Sequence, residues 1–417
     1  EAFKVFDWMR CFETIPDEIT FVTLLNACTC ENDLSYGRNA HLHIVDVGIA
    51  SDTLVSNALI SMYGRCRSLE DAMIMFNRMC HHNVVSWNAM ITIHSKHEPV
   101  KESIKMLFQM KSQGIEPNDV TFIALLDACA SQEALDEGIE VCASLNQNPC
   151  RLDMVVMTAA LNMYGKCHNV EKAQEIFNAM DDRDVIAWNA MISGYSKHDL
   201  AEEALYCFNQ MIDDGFLPDG VTYACVLKAC GGIGSAEKGE EIHEKMRKQG
   251  LLEENIMLCT ALVDMYARCG LFAKAQEVFD ELSEQDIVSW NALISGYAQC
   301  GQVRKAFFLF NQMRAEGVIP DAVTFLVMLM ACSHAGLVKD GEIYFNTMNH
   351  VYLLNPMQQH YCCMVDLFSR SGYFAKAINV IERVPPCDRL QVWMALSGAC
   401  RNWGNVELGS FAFDQLL

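Results

Sequence analysis

Cysteine is the residue whose chemistry must be settled first, because the 20 cysteines of this chain could form disulfides or bind metals. Neither Cys-x-x-Cys nor His-x-Glu, the close pairs typical of zinc sites, occurs anywhere in the sequence. Cys28 and Cys129 instead end apolar helical stretches, where a free cysteine behaves as a small buried hydrophobe. We therefore predict mostly core thiols, a reducing compartment, no metal site and no cofactor.

The composition is that of a folded, acidic protein. Of the 417 residues, 51% are apolar and 20% charged, which excludes a disordered tail. The net charge of −22 argues against general attraction to nucleic acids. The sequence contains no run of 18 apolar residues, so no transmembrane helix is predicted. The first ten residues read as the middle of a helix rather than as a signal or transit peptide, so we expect the sequence to be a fragment of a longer protein.

An internal repeat of about 101 residues organises the whole chain. Trp-Asn-Ala followed by Met or Leu starts at Trp87, Trp188 and Trp290, at spacings of 101 and 102 residues. Met-Tyr-Gly-Arg-Cys and its close variants recur at the same intervals. Apolar strings of the form Thr-Phe-x-x-Leu-Leu-x-Ala-Cys end at Cys28, Cys129, Cys230 and Cys332. Such self-similarity at a fixed period is the signature of a repeat architecture.

Each long repeat divides into three units of 35, 35 or 36, and 31 or 32 residues. In the unit 185–219, two amphipathic helices are predicted, and Gly215 with Pro218 ends the second one. The complete units are 18–52, 53–83, 84–118, 119–153, 154–184, 185–219, 220–255, 256–286, 287–321, 322–357 and 358–389.

Two positions of the unit predict how the helices pack. The twentieth residue is always small, which lets two helices approach closely, and a recurrent phenylalanine fills one core position. Because one helical pair cannot bury its apolar face alone, we predict an all-α fold: a right-handed α-solenoid superhelix of stacked helix–turn–helix repeats. The phenylalanines are Phe76, Phe177, Phe208, Phe279 and Phe310.

The alternating unit lengths and the three recurrent strings closely resemble the P, L and S units of plant pentatricopeptide repeat proteins of the PLS class. The 34-residue tetratricopeptide repeat fits less well, because its Trp-x-x-Leu-Gly signature is missing. The resemblance covers essentially the whole chain. It implies a partial P repeat at 1–17, tandem L-S-P repeats at 18–321, an L2-like repeat at 322–357, an S2-like repeat at 358–389 and a truncated E1-like motif at 390–417.

In this family the terminal motifs normally precede an E2 motif and often a zinc-dependent cytidine deaminase domain. The deaminase signature is absent from these 417 residues, so we expect no enzymatic activity in this chain. A deaminase acting in cis or in trans would supply the chemistry.

The resemblance also implies a code in which the fifth and last residues of each P or S unit select an RNA base. A carboxamide, hydroxyl or carboxylate can exchange hydrogen bonds with a base edge. The alternative is that these residues only cap helices. The pairs are Asn57/Asn83, Asn88/Asn118, Thr158/Asp184, Asn189/Asp219, Thr260/Asp286 and Asn291/Asp321.

The second residue of each unit is expected to flank the base, although an ordinary core position is the alternative. These residues are Leu54, Val85, Val155, Ile186, Met257 and Val288, with Val120, Val221 and Val323 in L units.

Cations at the thirteenth position are expected to follow the phosphate backbone, and compensation of a helix dipole is the alternative. These cations are Arg65, Lys96, Lys166, Lys197, Arg268 and Arg370.

The L units carry apolar fifth residues, which cannot read a base edge: Val22, Ile123, Ala224 and Leu326. Their exposed apolar character would suit a protein partner, and relatives bind multiple organellar RNA editing factors there. The S2-like unit has Cys362 and Arg389 at its code positions, so its base preference stays undefined.

The predicted function is therefore recognition of single-stranded organellar RNA, at 5′-YYNGUNGU-3′ upstream of an edited C, in a mitochondrion or chloroplast. A protein-binding helical scaffold, or an RNA processing or stability factor without an editing role, is the alternative.

Overall fold

The computed structural model describes residues 2–12, 16–146, 153–252, 255–385 and 389–415, and these are almost entirely α-helical. No strand occurs within those ranges, so the all-α prediction is confirmed. None of the described helices has the length and apolar character needed to cross a bilayer.

The described helices follow one another in pairs, with one 3-10 turn at Glu31–Asp33. They are α1 (Ala2–Cys11), α2 (Glu18–Asn26), α3 (Leu34–Val47), α4 (Thr53–Arg65), α5 (Leu69–Arg78), α6 (Val84–His97), α7 (Val100–Ser112), α8 (Asp119–Gln132), α9 (Leu135–Asn146), α10 (Met154–Lys166), α11 (Val170–Ala179), α12 (Val185–Lys197), α13 (Ala201–Asp213), α14 (Gly220–Ile233), α15 (Ala236–Lys248), α16 (Ile256–Arg268), α17 (Phe272–Asp280), α18 (Ile287–Gln299), α19 (Val303–Ala315), α20 (Ala322–Ala335), α21 (Val338–His350), α22 (Gln358–Arg370), α23 (Phe374–Glu382), α24 (Arg389–Trp403) and α25 (Val406–Asp414).

The helices form two compact units. One comprises Glu1–His198 with Asn209–Leu217, and the other comprises Asp199–Phe208 with Pro218–Leu417. In the first, the leading helices of successive repeats pack on one another in the order α2, α4, α6, α8, α10 and α12. In the second, the leading helices pack in the same way in the order α14, α16, α18, α20, α22 and α24. Each of these helices is the first helix of one sequence repeat.

Glycines end the second helices of the P repeats where the sequence predicts a stop. Gly215 and Gly317 both adopt φ 85°, a left-handed conformation that glycine tolerates without strain. The N–H of Gly215 donates to the carbonyl of Ile212 and that of Phe216 to Met211, which satisfies carbonyls left open at the helix end.

The small twentieth residue permits close approach, as predicted. A Cβ atom on Gly37 would collide with Sδ of Met62, and one on Gly239 would lie 2.5 Å from Sδ of Met265. Both methionines belong to the first helix of the following S unit. Where the twentieth residue is alanine, as at Ala72 and Ala275, the side chain is completely buried.

A recurrent aromatic pair joins each S unit to the following P unit. The ring centroids of Phe76 and Trp87 lie 4.8 Å apart in an edge-to-face arrangement. Phe279 and Trp290 repeat this contact at 4.7 Å. Each such pair stabilises the fold by about 0.5–1.5 kcal/mol beyond the contribution of the apolar area that it buries. The predicted phenylalanine core position is therefore confirmed, and its partner in the S units is a tryptophan of the SWNAM-type string. In the P units, Phe208 and Phe310 meet Tyr223 and Phe325 instead.

The described cysteines are free thiols. Eight are buried, among them Cys28, Cys129 and Cys230, six are half-buried, and Cys11, Cys30, Cys80 and Cys300 are exposed. Burial raises the pKa of Cys28 to about 11 and that of Cys129 to about 12, which disfavours the reactive thiolate. No group of three metal-ligating side chains comes together in the described ranges.

Candidate nucleic-acid interface

The last residue of each P or S unit between residues 53 and 321 caps the first helix of the next unit. Oδ1 of Asn118 accepts the backbone N–H of Thr121 at 3.2 Å, and Oδ1 of Asp286 accepts that of Ser289 at 2.9 Å. Asn83, Asp184, Asp219 and Asp321 form the same N-cap. The capping alternative is therefore real for these residues, except that they start the following helix rather than end the preceding one. Because Oδ1 makes the cap, the second polar atom of the side chain, Nδ2 in asparagine or Oδ2 in aspartate, is not needed for capping.

The fifth residues do not cap helices, so that alternative is wrong for them. Each lies one turn inside its helix; for example, Asp52 caps α4, the helix that carries Asn57. Asn57, Asn88, Asn189, Asn291 and Thr158 are only 8–9% exposed, and Thr260 is half-buried. Polar side chains at such positions cost free energy unless they find hydrogen-bond partners.

The fifth and last residues of one unit come together in space. Nδ2 of Asn88 donates to Oδ1 of Asn118 at 2.9 Å, and Nδ2 of Asn291 donates to Oδ1 of Asp321 at 3.2 Å. The two members of each pair are 30 residues apart in sequence. Helix capping alone would not require this contact.

A further hydroxyl completes the network around Asn88. Oγ1 of Thr121 donates to Oδ1 of Asn88 at 2.6 Å and accepts the backbone N–H of Asn118 at 3.2 Å. Sequence reasoning missed this residue. Its signal is the serine or threonine that recurs three positions after the cap in most units, as at Ser86 and Thr222.

Some code residues retain unused hydrogen-bonding capacity. Oδ1 of Asn57, Oδ1 of Asn291 and Oγ1 of Thr260 are buried without a hydrogen-bond partner. Oγ1 of Thr158 instead donates back to the carbonyl of Met154 at 2.9 Å. Buried polar atoms are normally satisfied, so these three side chains keep hydrogen-bonding capacity that a ligand could use.

The second residues of the units are exposed, so the core alternative is wrong for them. The exposed fractions are 55% for Leu54, 59% for Val85, 51% for Val155, 65% for Ile186, 53% for Met257 and 58% for Val288. An apolar side chain held in water at every repeat is an available contact surface.

One surface cleft in the first compact unit is lined by all three predicted classes of residue: base-reading, base-flanking and cationic. Its volume is about 1030 Å³. Asn88 and Asn118 line it together with the exposed side chains of Val85 and Val120 and with Lys96. Arg65 also borders this cleft.

The thirteenth-position cations differ in their partners. Arg65 donates from Nε to the carbonyl of Cys28 at 2.9 Å and from Nη2 to that of Leu25 at 3.0 Å, near the end of α2. Nζ of Lys197 donates to the last carbonyl of α10, at Lys166, and pairs with Glu133 at 2.6 Å. Both contacts support the dipole alternative, although on a neighbouring helix rather than on the cation's own.

The fifth residues of the L units are half-buried, which corrects the expectation that they are exposed. Val22 and Ile123, which lie one turn beyond the caps of their helices, are therefore only partly accessible. The second residues of these units, such as Val221 and Val323, are among their exposed apolar residues.

Removal of one cap should cost stability. We expect Asp286→Ala to lower the free energy of unfolding by about 0.5–2 kcal/mol, because the N–H of Ser289 loses its acceptor. Chemical denaturation followed by circular dichroism measures this loss. Asp286→Asn should retain most of the stability, and a loss as large as that of alanine would contradict the capping role.

Sequence profiles of the PPR repeat family match residues 82–131, 183–232 and 285–334. A profile of the single PPR repeat matches 55–84, 155–185, 221–251, 258–287 and 323–350. A pentatricopeptide repeat-containing protein from Arabidopsis thaliana is 36% identical over 400 residues, covering 96% of this chain and 55% of its own length. The chain belongs to the pentatricopeptide repeat family.

Other comparisons agree with this assignment. A second Arabidopsis thaliana protein of the family, whose name marks it as mitochondrial, is 32% identical over 100% of this chain and 60% of its own length. The chain thus spans little more than half of these two relatives. The crystal structure of the pentatricopeptide repeat protein PPR10 in complex with an 18-nt psaJ RNA element matches with a TM-score of 0.63 at 18% identity. That match covers 100% of this chain and 65% of PPR10, and it confirms the solenoid fold.

Proposed function

We propose that this pentatricopeptide repeat protein is a sequence-specific, single-stranded RNA-binding array of the PLS class. The observation that carries the proposal is the contact between Asn88 and Asn118 in a cleft lined by exposed Val85 and Val120. PPR10, which shares the fold, was crystallised with RNA. Titration of the purified chain with labelled RNA, followed by fluorescence anisotropy, tests the proposal, and the lack of any sequence preference would overturn it.

In this proposal each P or S unit holds one base between the second residues of adjacent units. Val85 and Val120, both more than half exposed, would cover the two faces of the base at unit 84–118. Apolar contact with the faces suits any base, so the choice among bases falls to the polar pair.

The cap explains how the last residue discriminates. Because Oδ1 holds the helix N-terminus, an asparagine has Nδ2, a donor, left for the base, whereas an aspartate has Oδ2, an acceptor. Uracil and guanine carry a ring N–H donor on the pairing edge, whereas cytosine carries a ring nitrogen acceptor. Aspartate therefore suits U or G, and asparagine suits C among the pyrimidines.

The fifth residue then selects by size. The short hydroxyl of Thr158 or Thr260 leaves room for a purine, whereas the longer amide of an asparagine reaches a smaller pyrimidine. With the RNA 5′ end at the protein N-terminus, units 53–83 to 287–321 read 5′-YYNGUNGU-3′. Units 322–357 and 358–389 follow without an assigned base.

The biological role that we propose is that of a specificity factor for organellar C-to-U editing. It rests on the L2-, S2- and E1-like motifs in residues 322–417. Some relatives are named as mitochondrial, which supports an organellar location. A deaminase in cis or in trans would carry out the chemistry on a cytidine downstream of the bound sequence.

The chain by itself should not deaminate cytidine, because it lacks the His-x-Glu and Cys-x-x-Cys groups that hold and use zinc in such enzymes. We expect no C-to-U conversion when the purified, zinc-supplemented protein is incubated with RNA containing the predicted site. Sequencing of the RNA measures this directly, and any conversion above the protein-free level would disprove it.

Only P and S units should contribute base contacts. We expect Asn88→Ala to weaken RNA binding by about 1–3 kcal/mol, because both partners of its amide are left without it. Ala224→Ser, at the fifth position of an L unit, should leave the affinity nearly unchanged. Anisotropy titrations compare the two, with thermal unfolding as a check on folding. Equal losses would mean that both kinds of unit contact the RNA.

The L units favour a second candidate, a protein-binding surface. Their fifth residues are apolar and cannot read a base. Exposed Val221 and Val323, which would flank bases in the RNA-binding proposal, would here serve as protein contact area instead. A multiple organellar RNA editing factor is the partner that the resemblance implies. Pull-down with and without RNase separates direct protein binding from RNA-mediated association.

A further inference from the structure

The S units differ in the residue that precedes their cation by one helical turn. In every S unit the thirteenth residue is basic, but the ninth residue changes from neutral to acidic along the chain. The pairs of ninth and thirteenth residues are Ser61/Arg65, Asn162/Lys166, Asp264/Arg268 and Asp366/Arg370. Residues four apart lie on the same face of a helix and can form an ion pair.

The two acidic residues are engaged with their arginines. Nε of Arg268 lies 2.8 Å from Oδ2 of Asp264, and Nε of Arg370 lies 2.7 Å from Oδ1 of Asp366. The other carboxylate oxygen of Asp366 accepts the hydroxyl of Ser333 at 2.6 Å, which fixes the carboxylate in place. Both arginines therefore belong to locally neutral pairs.

The cations of the first compact unit are less neutralised. Lys96 and Lys166 form no ion pair with any described residue, and Arg65 donates only to the uncharged groups of Cys28, Leu25 and Asn26. Lys197 is the exception, since it pairs with Glu133. Arg65 and Lys96 keep an uncompensated charge, and Lys166 forms no ion pair but lies within electrostatic reach of the carboxyl of Asp127.

We propose that Asp264 and Asp366 screen the arginines beside them, so that contacts with the RNA phosphates are concentrated on Arg65, Lys96 and Lys166. This inference rests on the proposed RNA binding and adds which repeats hold the backbone. A cation that neutralises a phosphate releases condensed counterions, and on a single strand each contact contributes about 0.7 to the salt slope of log K. A neutral arginine–aspartate pair attracts the phosphate less and releases fewer ions.

As a consequence, the two halves of the array contribute differently to RNA affinity. Repeats up to residue 184 add to their base contacts an attraction that depends on salt and not on sequence. The units 256–286 and 287–321 contribute to RNA affinity mainly through their base-reading residues, Thr260 with Asp286 and Asn291 with Asp321. This arrangement limits non-specific binding by a chain whose net charge is already −22.

The test is the salt dependence of RNA affinity for the full chain, measured by anisotropy between about 50 and 400 mM KCl. We expect Asp264→Asn to raise the affinity about five-fold at 0.1 M salt and to steepen the slope by about 0.7, because one screened cation becomes available. Adding Arg268→Gln to Asp264→Asn should abolish that gain. Lys166→Gln should flatten the slope more than Arg268→Gln does in the wild-type background.

A charge-matched control removes one carboxylate elsewhere. Glu175→Gln, which removes the partner of Lys172 on the second helix α11, should leave the slope unchanged. A loss of affinity in Asp264→Asn would show that the carboxylate orients Arg268 toward phosphate, and it would overturn the screening. Equal slopes for Lys166→Gln and Arg268→Gln would also overturn it while leaving RNA binding intact. If the wild-type chain bound no RNA at any salt concentration, the proposed function itself would fall.

Discussion

Replacement of Trp290 by alanine is expected to lower the free energy of unfolding by about 3–5 kcal/mol. The indole is completely buried and meets the ring of Phe279 edge-to-face at 4.7 Å. Its Nε1 has no hydrogen-bond partner, so the loss comes from packing rather than from a broken polar contact. The cavity left between the S and P repeats cannot collapse easily, because helices on both sides are held by their own neighbours.

Val288 provides the matched control, since it lies on the same helix, α18, but is 58% exposed. We expect Val288→Ala to change the free energy of unfolding by less than about 0.5 kcal/mol. Urea denaturation followed by circular dichroism measures both variants. Similar losses in the two would mean that the second residue of the unit is a core position after all.

Repeat length and core pattern could be predicted from the sequence because they repeat. The twentieth residue stands out as small only when the units are aligned, as with Gly37 and Ala72. The sequence could not identify what the small residue accommodates. Met62 lies 25 residues after Gly37, in the next unit, so the contact depends on how neighbouring units stack.

The site was predictable in its residues but not in its hydrogen bonds. Asn118 was expected either to cap a helix or to read a base, and the structure shows that it caps one helix while it contacts Asn88. Both roles use a short polar side chain, so residue type alone could not separate them. Thr121 escaped notice because a threonine at the third helical position is ordinary in any capped helix.

Charge pairing was the least predictable feature. The basic thirteenth residues look equivalent in sequence, yet Lys96 has no ion pair among the described residues whereas Arg268 is bound to Asp264. Whether the cation is paired depends on the ninth residue of the unit, one helical turn before it. An alignment of the units draws attention to the recurrent position of the cation and not to the ninth residue. The spacing of four residues could have predicted the ion pair of Arg268, whereas the contact of Lys197 with Glu133, 64 residues away in sequence, could come only from the three-dimensional arrangement.

Thr260→Asn should change the preferred RNA base at one position from G to U. Thr260 lies on α16, its Oγ1 is buried without a partner, and the last residue of its unit, Asp286, caps α18. The hydroxyl is short, so we expect it to leave room for a purine beside the exposed side chains of Met257 and Val288. An asparagine extends further into that space and leaves room for a pyrimidine only.

The acceptor of Asp286 is unchanged by this substitution, so the favoured base must still offer a ring N–H. Guanine and uracil both do, whereas cytosine does not, which is why the expected product of the swap is U rather than C. Selection from a randomised RNA pool should therefore recover YYNGUNUU in place of YYNGUNGU. The discrimination at that position should be about 1–3 kcal/mol, the usual scale of a base contact.

Thr158→Asn is the matched control, because it makes the same change in unit 154–184 and should convert only the first G. Circular dichroism and thermal unfolding should show that both variants remain folded, since asparagine already occupies the equivalent position in Asn57. An enriched motif unrelated to YYNGUNGU would mean that the repeats are read in another register or direction. A preference that stays at G after Thr260→Asn would mean that the fifth residue does not choose between purine and pyrimidine.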